Sequence, residues 1–135
     1  MKKQRITSPH VPEPPPERWS NCVRVGDMVY VSGMTARDKD GVTVSAEGEY
    51  EQTKVIFTKI RHLIEAAGGV MNDVTNMQIF VTRIRNNTEV WRARKEFFSG
   101  DFPASTLVEV SSLAKPEILV EIHVVAHIGC SSSSG

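Results

Sequence analysis

Near the carboxyl end of the chain, the titratable residues Glu121, His123 and His127 alternate with the apolar residues Leu119 and Val125. Residues two apart share one face of a β-strand, so a strand here would place all five on the same face. Histidine exchanges protons near neutral pH, which makes His123 a candidate proton donor, with a structural histidine as the alternative. A face of this mixed kind suits neither a dry core nor free solvent exposure, and it favours an intersubunit surface or the wall of a pocket.

The same residues do not predict a metal site. His123 and His127 are four residues apart, about 13 Å at the usual rise of about 3.3 Å per residue, so they cannot bind one metal ion. The two cysteines, Cys22 and Cys130, lie outside any CxxC motif or metal-type spacing. We therefore expect free thiols and no bound metal.

The elements that would position these residues follow from hydrophobic periodicity. Strands over 22–25 and 28–32 flank Gly26-Asp27, a turn that suits a hairpin. Apolar residues at helical spacing predict a helix over 49–67, which Gly68-Gly69 ends. Its apolar stripe consists of Ile56, Ile60, Leu63, Ile64 and Ala67.

A second helix is expected in the later half of the chain. Asn86, with Glu89 three residues further on, would cap this helix, which would end near Gly100. Strands are predicted before and after it, over 74–84, 106–110 and 118–127.

The two faces of the last strands differ in character. On strand 106–110, the side that carries Ser105, Leu107 and Glu109 is assigned to the same mixed surface as Glu121. The order of the elements predicts an α+β fold with both helices on one face of a mixed sheet. The uncovered face must then contact something, and homo-oligomerisation is the simplest solution. The apolar face of strand 118–127, expected under the helices, consists of Ile118, Val120, Ile122, Val124, Ala126 and Ile128.

The composition fits one globular domain with no strong attraction to polyanions. The chain has 135 residues, 40% of them hydrophobic, and its 16 basic and 16 acidic side chains cancel. We therefore expect no nucleic-acid or membrane partner, and we interpret the basic stretch over 83–95 as a solvated helix face. No apolar run approaches the roughly 20 residues that span a bilayer, and residues 1–10 lack the apolar core of a signal peptide, so a cytoplasmic location is expected.

The two ends of the chain differ from its middle. Closely spaced prolines predict an extended amino-terminal arm over 1–17, because proline removes a backbone donor and restricts the preceding residue. One folded domain is predicted over 18–129. Consecutive serines predict a flexible tail over 130–135.

Four segments, in order along the chain, resemble the Rid (reactive intermediate deaminase, YjgF-like) family. The resemblance implies a chorismate-mutase-like α+β fold, a homotrimer, and three pockets between subunits that bind a small molecule. The segments are Gly26-Asp27-Met28-Val29-Tyr30-Val31-Ser32-Gly33, the helix end Glu65-Ala66-Ala67-Gly68, the strand around Phe80-Val81, and Phe102-Pro103-Ala104 followed by Val108-Glu109-Val110 and Val120-Glu121-Ile122.

Active members of the family hydrolyse enamine and imine intermediates to a 2-keto acid and ammonia, without a metal or cofactor. The family motif holds the substrate carboxylate with an arginine that follows Phe-Pro-Ala, and here that position is Ser105. Serine offers one donor and no charge. Removing one partner of a buried charge pair typically costs about 2–5 kcal/mol, so this departure puts the family's usual activity in doubt.

The resemblance also implies the remaining site residues. Glu121 would be catalytic and orient the attacking water, with an intersubunit hydrogen-bond partner as the alternative role. Ser32 and Gly33 would supply backbone contacts to the substrate.

Three substrate-binding positions differ from the family pattern. Leu107 stands where many members have cysteine, Trp91 where asparagine is frequent, and Trp19 where tyrosine is common. For both tryptophans, packing is the alternative to a role as a ligand platform.

Two functions from different classes fit these residues. One is a hydrolytic deaminase of an enamine or imine that lacks the usual carboxylate-binding arginine, and an aminomuconate-deaminase-like enzyme is a specific variant of it. The other is a non-catalytic trimer that binds a small metabolite or a partner protein in its intersubunit pockets.

Overall fold

The structure, a computed structural model, describes residues 1–131. Residues 132–135, part of the tail predicted over 130–135, lie outside the described residues. Within the described residues two α-helices occur, α1 (Gly48–Ala66) and α2 (Asn87–Arg94). The six strands are β1 (Gln4–Ile6), β2 (Cys22–Val25), β3 (Met28–Met34), β4 (Val74–Val81), β5 (Ala104–Glu109) and β6 (Val120–His127).

All six strands form one sheet in the order β1-β2-β3-β6-β4-β5. Neighbouring strands are antiparallel except β4 and β5, which run parallel because α2 makes the crossover between them. The β2–β3 hairpin turns at Gly26-Asp27, where Gly26 adopts a φ of 57° that a side chain would disfavour. The predicted α+β fold with a mixed sheet is confirmed.

The hydrophobic core lies between the helices and one face of the sheet. The α1 stripe predicted from the sequence is buried throughout, and it packs on the predicted apolar face of β6. Full burial of an aliphatic side chain contributes about 1.5–3 kcal/mol, so this contact accounts for much of the stability. The placement of both helices on one face is confirmed.

The amino-terminal arm contains a strand that the sequence did not predict. Gln4–Ile6 pairs with β2, and Ile6 is buried opposite Cys22. The burial of Ile6 and Val11 ties the arm to the core. No helix within residues 1–131 is long and apolar enough to cross a membrane.

The predicted ends of β4 and α2 are wrong. β4 ends at Val81 rather than at residue 84, and α2 ends at Arg94 rather than near Gly100. The chain leaves the helix early because Phe97 and Phe98 both turn towards Phe57, with ring centroids 5.5 Å from it in each case. Aromatic packing thus outweighs continuation of the helix.

The predicted side-chain cap of α2 is also wrong. Asn86 precedes the helix, but its side chain makes no capping hydrogen bond. Instead, its amide donates to the carboxylate of Glu49 at 3.1 Å, because that buried anion needs donors.

Candidate functional site

Glu121 lies on β6 directly against Gly33 of the neighbouring strand β3. The pairing of β3 with β6 shifts register between Val31 and Met34, which brings the backbone at Gly33 over the glutamate side chain. A Cβ atom on Gly33 would overlap Oε2 of Glu121 and stand 2.9 Å from its carboxyl carbon. A side chain at this position would therefore displace the carboxylate from its present place.

The carboxylate of Glu121 is half-buried and accepts no hydrogen bond from the rest of residues 1–131. Its oxygens are therefore available to a water molecule or a ligand. Within one chain, this fits the expected catalytic role and the alternative role of an intersubunit hydrogen-bond partner equally well.

Ser32 holds the segment that carries Trp19. The Ser32 hydroxyl donates to the carbonyl oxygen of Ser20 at 2.6 Å, and its backbone N–H donates to the carbonyl of Asn21 at 2.9 Å. Trp19, one residue before Ser20, is 53% exposed. Ser32 thus positions an exposed indole beside Gly33.

Trp19 and Gly33 line a cleft of about 220 Å³ between the arm and the sheet. The sequence did not indicate its third notable lining residue, Lys59 of α1, whose ammonium donates to the carbonyl of Thr35 at 2.8 Å. Burial, assisted by the nearby Arg37, lowers the pKa of Lys59 to about 8. We name Trp19, Ser32, Gly33 and Glu121 the glutamate half-site.

Ser105 and Leu107 lie elsewhere, on the edge strand β5. Ser105 pairs with Met77 and Leu107 with Ile79, and both partners on β4 are fully buried under the helices. Residues paired across a sheet share a face, so Ser105 and Leu107 belong to the helix-covered face.

Glu121 occupies the opposite face of the sheet. It pairs with Phe80, which in turn pairs with Val108 of β5. The prediction that Ser105 shares a surface with Glu121 is therefore wrong. The sequence correctly predicted that side chains alternate between two faces along β5. Which set faces the helices is decided by the pairing of β5 with β4, which the sequence does not specify.

A residue of the basic stretch over 83–95 for which the sequence indicated no role in the site stands next to Ser105. Nη1 of Arg94, on α2, donates to Oγ of Ser105 at 3.1 Å. Trp91, one helical turn earlier on α2, is 44% exposed. We name Trp91, Arg94, Ser105 and Leu107 the serine half-site. The three-residue spacing of Trp91 and Arg94 shows in the sequence that they share one side of a helix. Their approach to β5 cannot be read from the sequence.

The uncovered face of the sheet presents both apolar and titratable groups. Tyr30 and Val108 are exposed there. His123 stacks on Phe80 with ring centroids 6.0 Å apart, and its Nε2 lies 3.1 Å from Oε1 of Gln78. These contacts fit the structural alternative for His123 better than a role as proton donor.

The cysteines and possible metal ligands are dispersed. Cys22 is buried in the core, and burial raises the pKa of its thiol to about 11. Sγ of Cys130 contacts the carbonyl oxygen of Asp73 at 3.5 Å. Among residues 1–131, no cluster of three or more histidine, cysteine or acidic side chains could hold a metal ion.

Much of the basic stretch over 83–95 serves the fold. Arg83 makes two hydrogen bonds to Glu49, at 2.8 and 2.9 Å, and Arg92 pairs with Glu89 at 3.1 Å. Glu49 is only 3% exposed; burial acts to raise its pKa, but the hydrogen bonds from Arg83 and Asn86 outweigh it and lower the pKa. These contacts link the start of α1 to the turn that precedes α2.

Known proteins resemble this chain over nearly its whole length. The family model described as Endoribonuclease L-PSP matches residues 11–128. A protein of unknown function from Pseudomonas aeruginosa is 40% identical, with a TM-score of 0.83, over 95% of this chain and 94% of that one. RidA from the Antarctic bacterium Psychrobacter is 30% identical, with a TM-score of 0.84, over 93% and 99%. A conserved Rid-family protein from Yersinia pestis is 28% identical, with a TM-score of 0.86, over 94% and 100%.

Proposed function

Since the chain belongs to the Rid (YjgF-like) family, whose sequence model is described as Endoribonuclease L-PSP, we propose that it hydrolyses an enamine or imine metabolite to a carbonyl compound and ammonia. The observation that carries this proposal is the half-buried carboxylate of Glu121, which has no partner within residues 1–131 and for which Gly33 leaves room. The reaction is expected to take place in the cytoplasm.

The chemistry requires a positioned water and a group that carries its protons from oxygen to nitrogen. The water oxygen bonds to the electrophilic imine carbon while the C=N π electrons move to nitrogen. The carboxylate of Glu121 accepts the proton that the water loses and returns it to nitrogen. In the resulting carbinolamine, the hydroxyl proton passes to nitrogen by way of the same carboxylate, the C–N bond breaks, and the carbonyl compound and ammonia leave. One water is consumed, and neither a metal nor a redox cofactor takes part.

The proposal includes a homotrimer whose pockets form between subunits. The glutamate half-site and the serine half-site lie on opposite faces of one sheet, so a single chain does not join them. Contact between two copies would bring the carboxylate of one subunit to the serine half-site of another. Trp19 and Trp91, both exposed in the single chain, would then form aromatic walls, and Leu107 an apolar one.

RNA cleavage, which the family description names, is not part of the proposal. The chain has no net charge, and carboxylates already neutralise Arg83 and Arg92. Affinity for nucleic acid depends mainly on cations that are free to contact phosphates.

A non-catalytic trimer that binds a small metabolite or a partner protein is the second candidate. Two exposed tryptophans and the uncharged Ser105 favour it, because large aromatic surfaces support binding without chemistry.

A competition assay separates the two candidates. Imines generated by an amino-acid oxidase are incubated with the protein and semicarbazide, and 2-aminomuconate is followed separately by its ultraviolet absorbance. We expect accelerated loss of at least one substrate, and Glu121→Gln should reduce kcat by about 10²–10⁴-fold, since it removes the proton acceptor. Glu65→Gln, on the exposed surface of α1, is the matched control and should retain activity.

Rates equal to buffer across the whole panel would exclude the deaminase. A saturable change in tryptophan fluorescence with a metabolite would then favour the non-catalytic candidate.

A further inference from the structure

We infer that Arg94 and Ser105 together bind a carboxylate, so that the ligand of the proposed intersubunit pocket is a small carboxylic acid. The inference deepens the proposed function and rests on it for the location of the pocket. It assigns the anionic end of the ligand to α2 and β5 and leaves the reacting carbon to the glutamate half-site.

Arg94 is a half-buried cation to which no other residue of the described range 1–131 supplies a counter-ion. Arginine stays protonated throughout the physiological range, so its charge must be balanced by solvent or by an anion. Arg83 and Arg92 each pair with a carboxylate, but within residues 1–131 no carboxylate forms an ion pair with Arg94. Burial lowers the pKa of Arg94, which indicates that water solvates the guanidinium poorly.

The donors that remain suit a carboxylate. A guanidinium has five N–H groups, and within residues 1–131 only one of those on Arg94 has a partner, the Ser105 hydroxyl at 3.1 Å. Ser105 accepts in that contact, and its own O–H is not donated to any other residue of the described chain. Two adjacent donors, one of them charged, can therefore approach the two oxygens of one carboxylate.

The side chains beside these donors determine which kind of ligand body can bind next to the carboxylate. Trp91 precedes Arg94 by one turn of α2 and exposes much of its ring. Leu107 follows Ser105 on the same face of β5. An aromatic wall and an aliphatic wall next to a cation fit a carboxylic acid with a short apolar body, such as a 2-oxo acid or the matching 2-imino acid.

Ser105 would then have a different role from the loss of charge that its sequence position suggests. The position has lost its own charge, but a neighbouring helix supplies a guanidinium to the same place. The hydroxyl becomes the group that holds Arg94 and provides the second donor.

The test is a binding titration that does not depend on catalysis. Tryptophan fluorescence of the full chain is titrated with 2-oxobutyrate and with butanone, its uncharged counterpart. We expect a saturable response to the acid and none to the ketone. Arg94→Gln should raise Kd for the acid about 30-fold or more, Arg94→Lys less, and Arg92→Gln, the matched control, should leave it unchanged.

A charge relocation keeps the test valid if Arg94→Gln affects folding. Arg94→Ser combined with Ser105→Arg moves the guanidinium from α2 to β5, and we expect it to restore acid binding. Thermal unfolding of each variant is followed in parallel. If Arg94→Gln is destabilised but still binds the acid with unchanged Kd, the Arg94–Ser105 contact serves only the fold, and the inference is overturned.

The outcomes also distinguish this inference from the proposed function. Equal binding of acid and ketone, or no binding of the acid at all, would overturn the inference, even if uncharged imines are hydrolysed. Acid binding that depends on Arg94, without hydrolysis of any imine, would support the inference and contradict the deaminase.

Discussion

At the scale of single residues, the two half-sites differ in how far the sequence could predict them. Resemblance was enough to single out Glu121 and Gly33, because they belong to segments that match the family. Arg94 was missed, since its role depends on a contact between α2 and the edge strand β5. A long side chain on a helix can reach several places, and only the packing of the helix determines which one it reaches.

The close approach of Gly33 to Glu121 leads to a prediction at this scale. Gly33→Ala should displace the carboxylate, because the added methyl group would overlap Oε2. A misplacement of about 1 Å costs on the order of 10²-fold in rate, so we expect kcat to fall by about that factor while the fold is retained. Steady-state kinetics and circular dichroism measure the two effects.

The control for this substitution is a double-mutant cycle. If Gly33→Ala acts through Glu121, it should change the rate little in a Glu121→Gln background. Full additivity of the two losses would instead show that Gly33 contributes independently of the carboxylate.

At the scale of elements, α1 was predicted to within a residue at each end, since a 19-residue amphipathic stripe is a strong local signal. The end of α2 was not predicted correctly, because the two phenylalanines that follow Arg94 pack on Phe57 instead of continuing the helix. β1 was missed because its partner strand lies about 20 residues away and the intervening prolines dominate the local pattern. The phase of β5 likewise depends on a non-local pairing.

The tie between α1 and the turn before α2 leads to a prediction for this scale. Glu49→Gln should lower the free energy of unfolding at pH 7 by about 1–3 kcal/mol, because Arg83 and Asn86 lose a buried anionic acceptor. Urea denaturation measures the loss. Glu89→Gln, which breaks an exposed pair, is the control and should cost well under about 1 kcal/mol.

The difference in stability between the wild type and Glu49→Gln should depend on pH in a definite direction. The folded-state pKa of Glu49 lies below its ordinary value of 4.5, so the ionised carboxylate stabilises the fold above that value. The wild type should lose this contribution as the pH falls through the folded pKa, and its advantage over Glu49→Gln should shrink. An advantage that stays constant from pH 7 to pH 3 would contradict the assignment of the ion pair.

At the scale of the whole molecule, the uncovered face of the sheet is the main feature that a single chain leaves unexplained. The sequence indicated this face through the alternation on β6, and the structure places Tyr30 and Val125 opposite each other on it. A single chain contains both half-sites but does not bring them together. Packing of this face of one copy against the β5 edge of another would exclude its apolar side chains from water and bring a glutamate half-site to a serine half-site. The sequence could therefore predict the need for a partner but not its geometry.

The oligomeric state is therefore the last prediction. Sedimentation analysis should give three times the chain mass of 15.0 kDa. Val125→Glu should dissociate the trimer, because it would bury an unpaired charge on the uncovered face. The matched control is Val42→Glu, in an exposed loop away from the sheet, which should leave the trimer intact. If the trimer dissociates, imine hydrolysis should be lost, since it needs groups from both half-sites. Hydrolysis by a monomeric Val125→Glu variant would show that one chain holds a complete site.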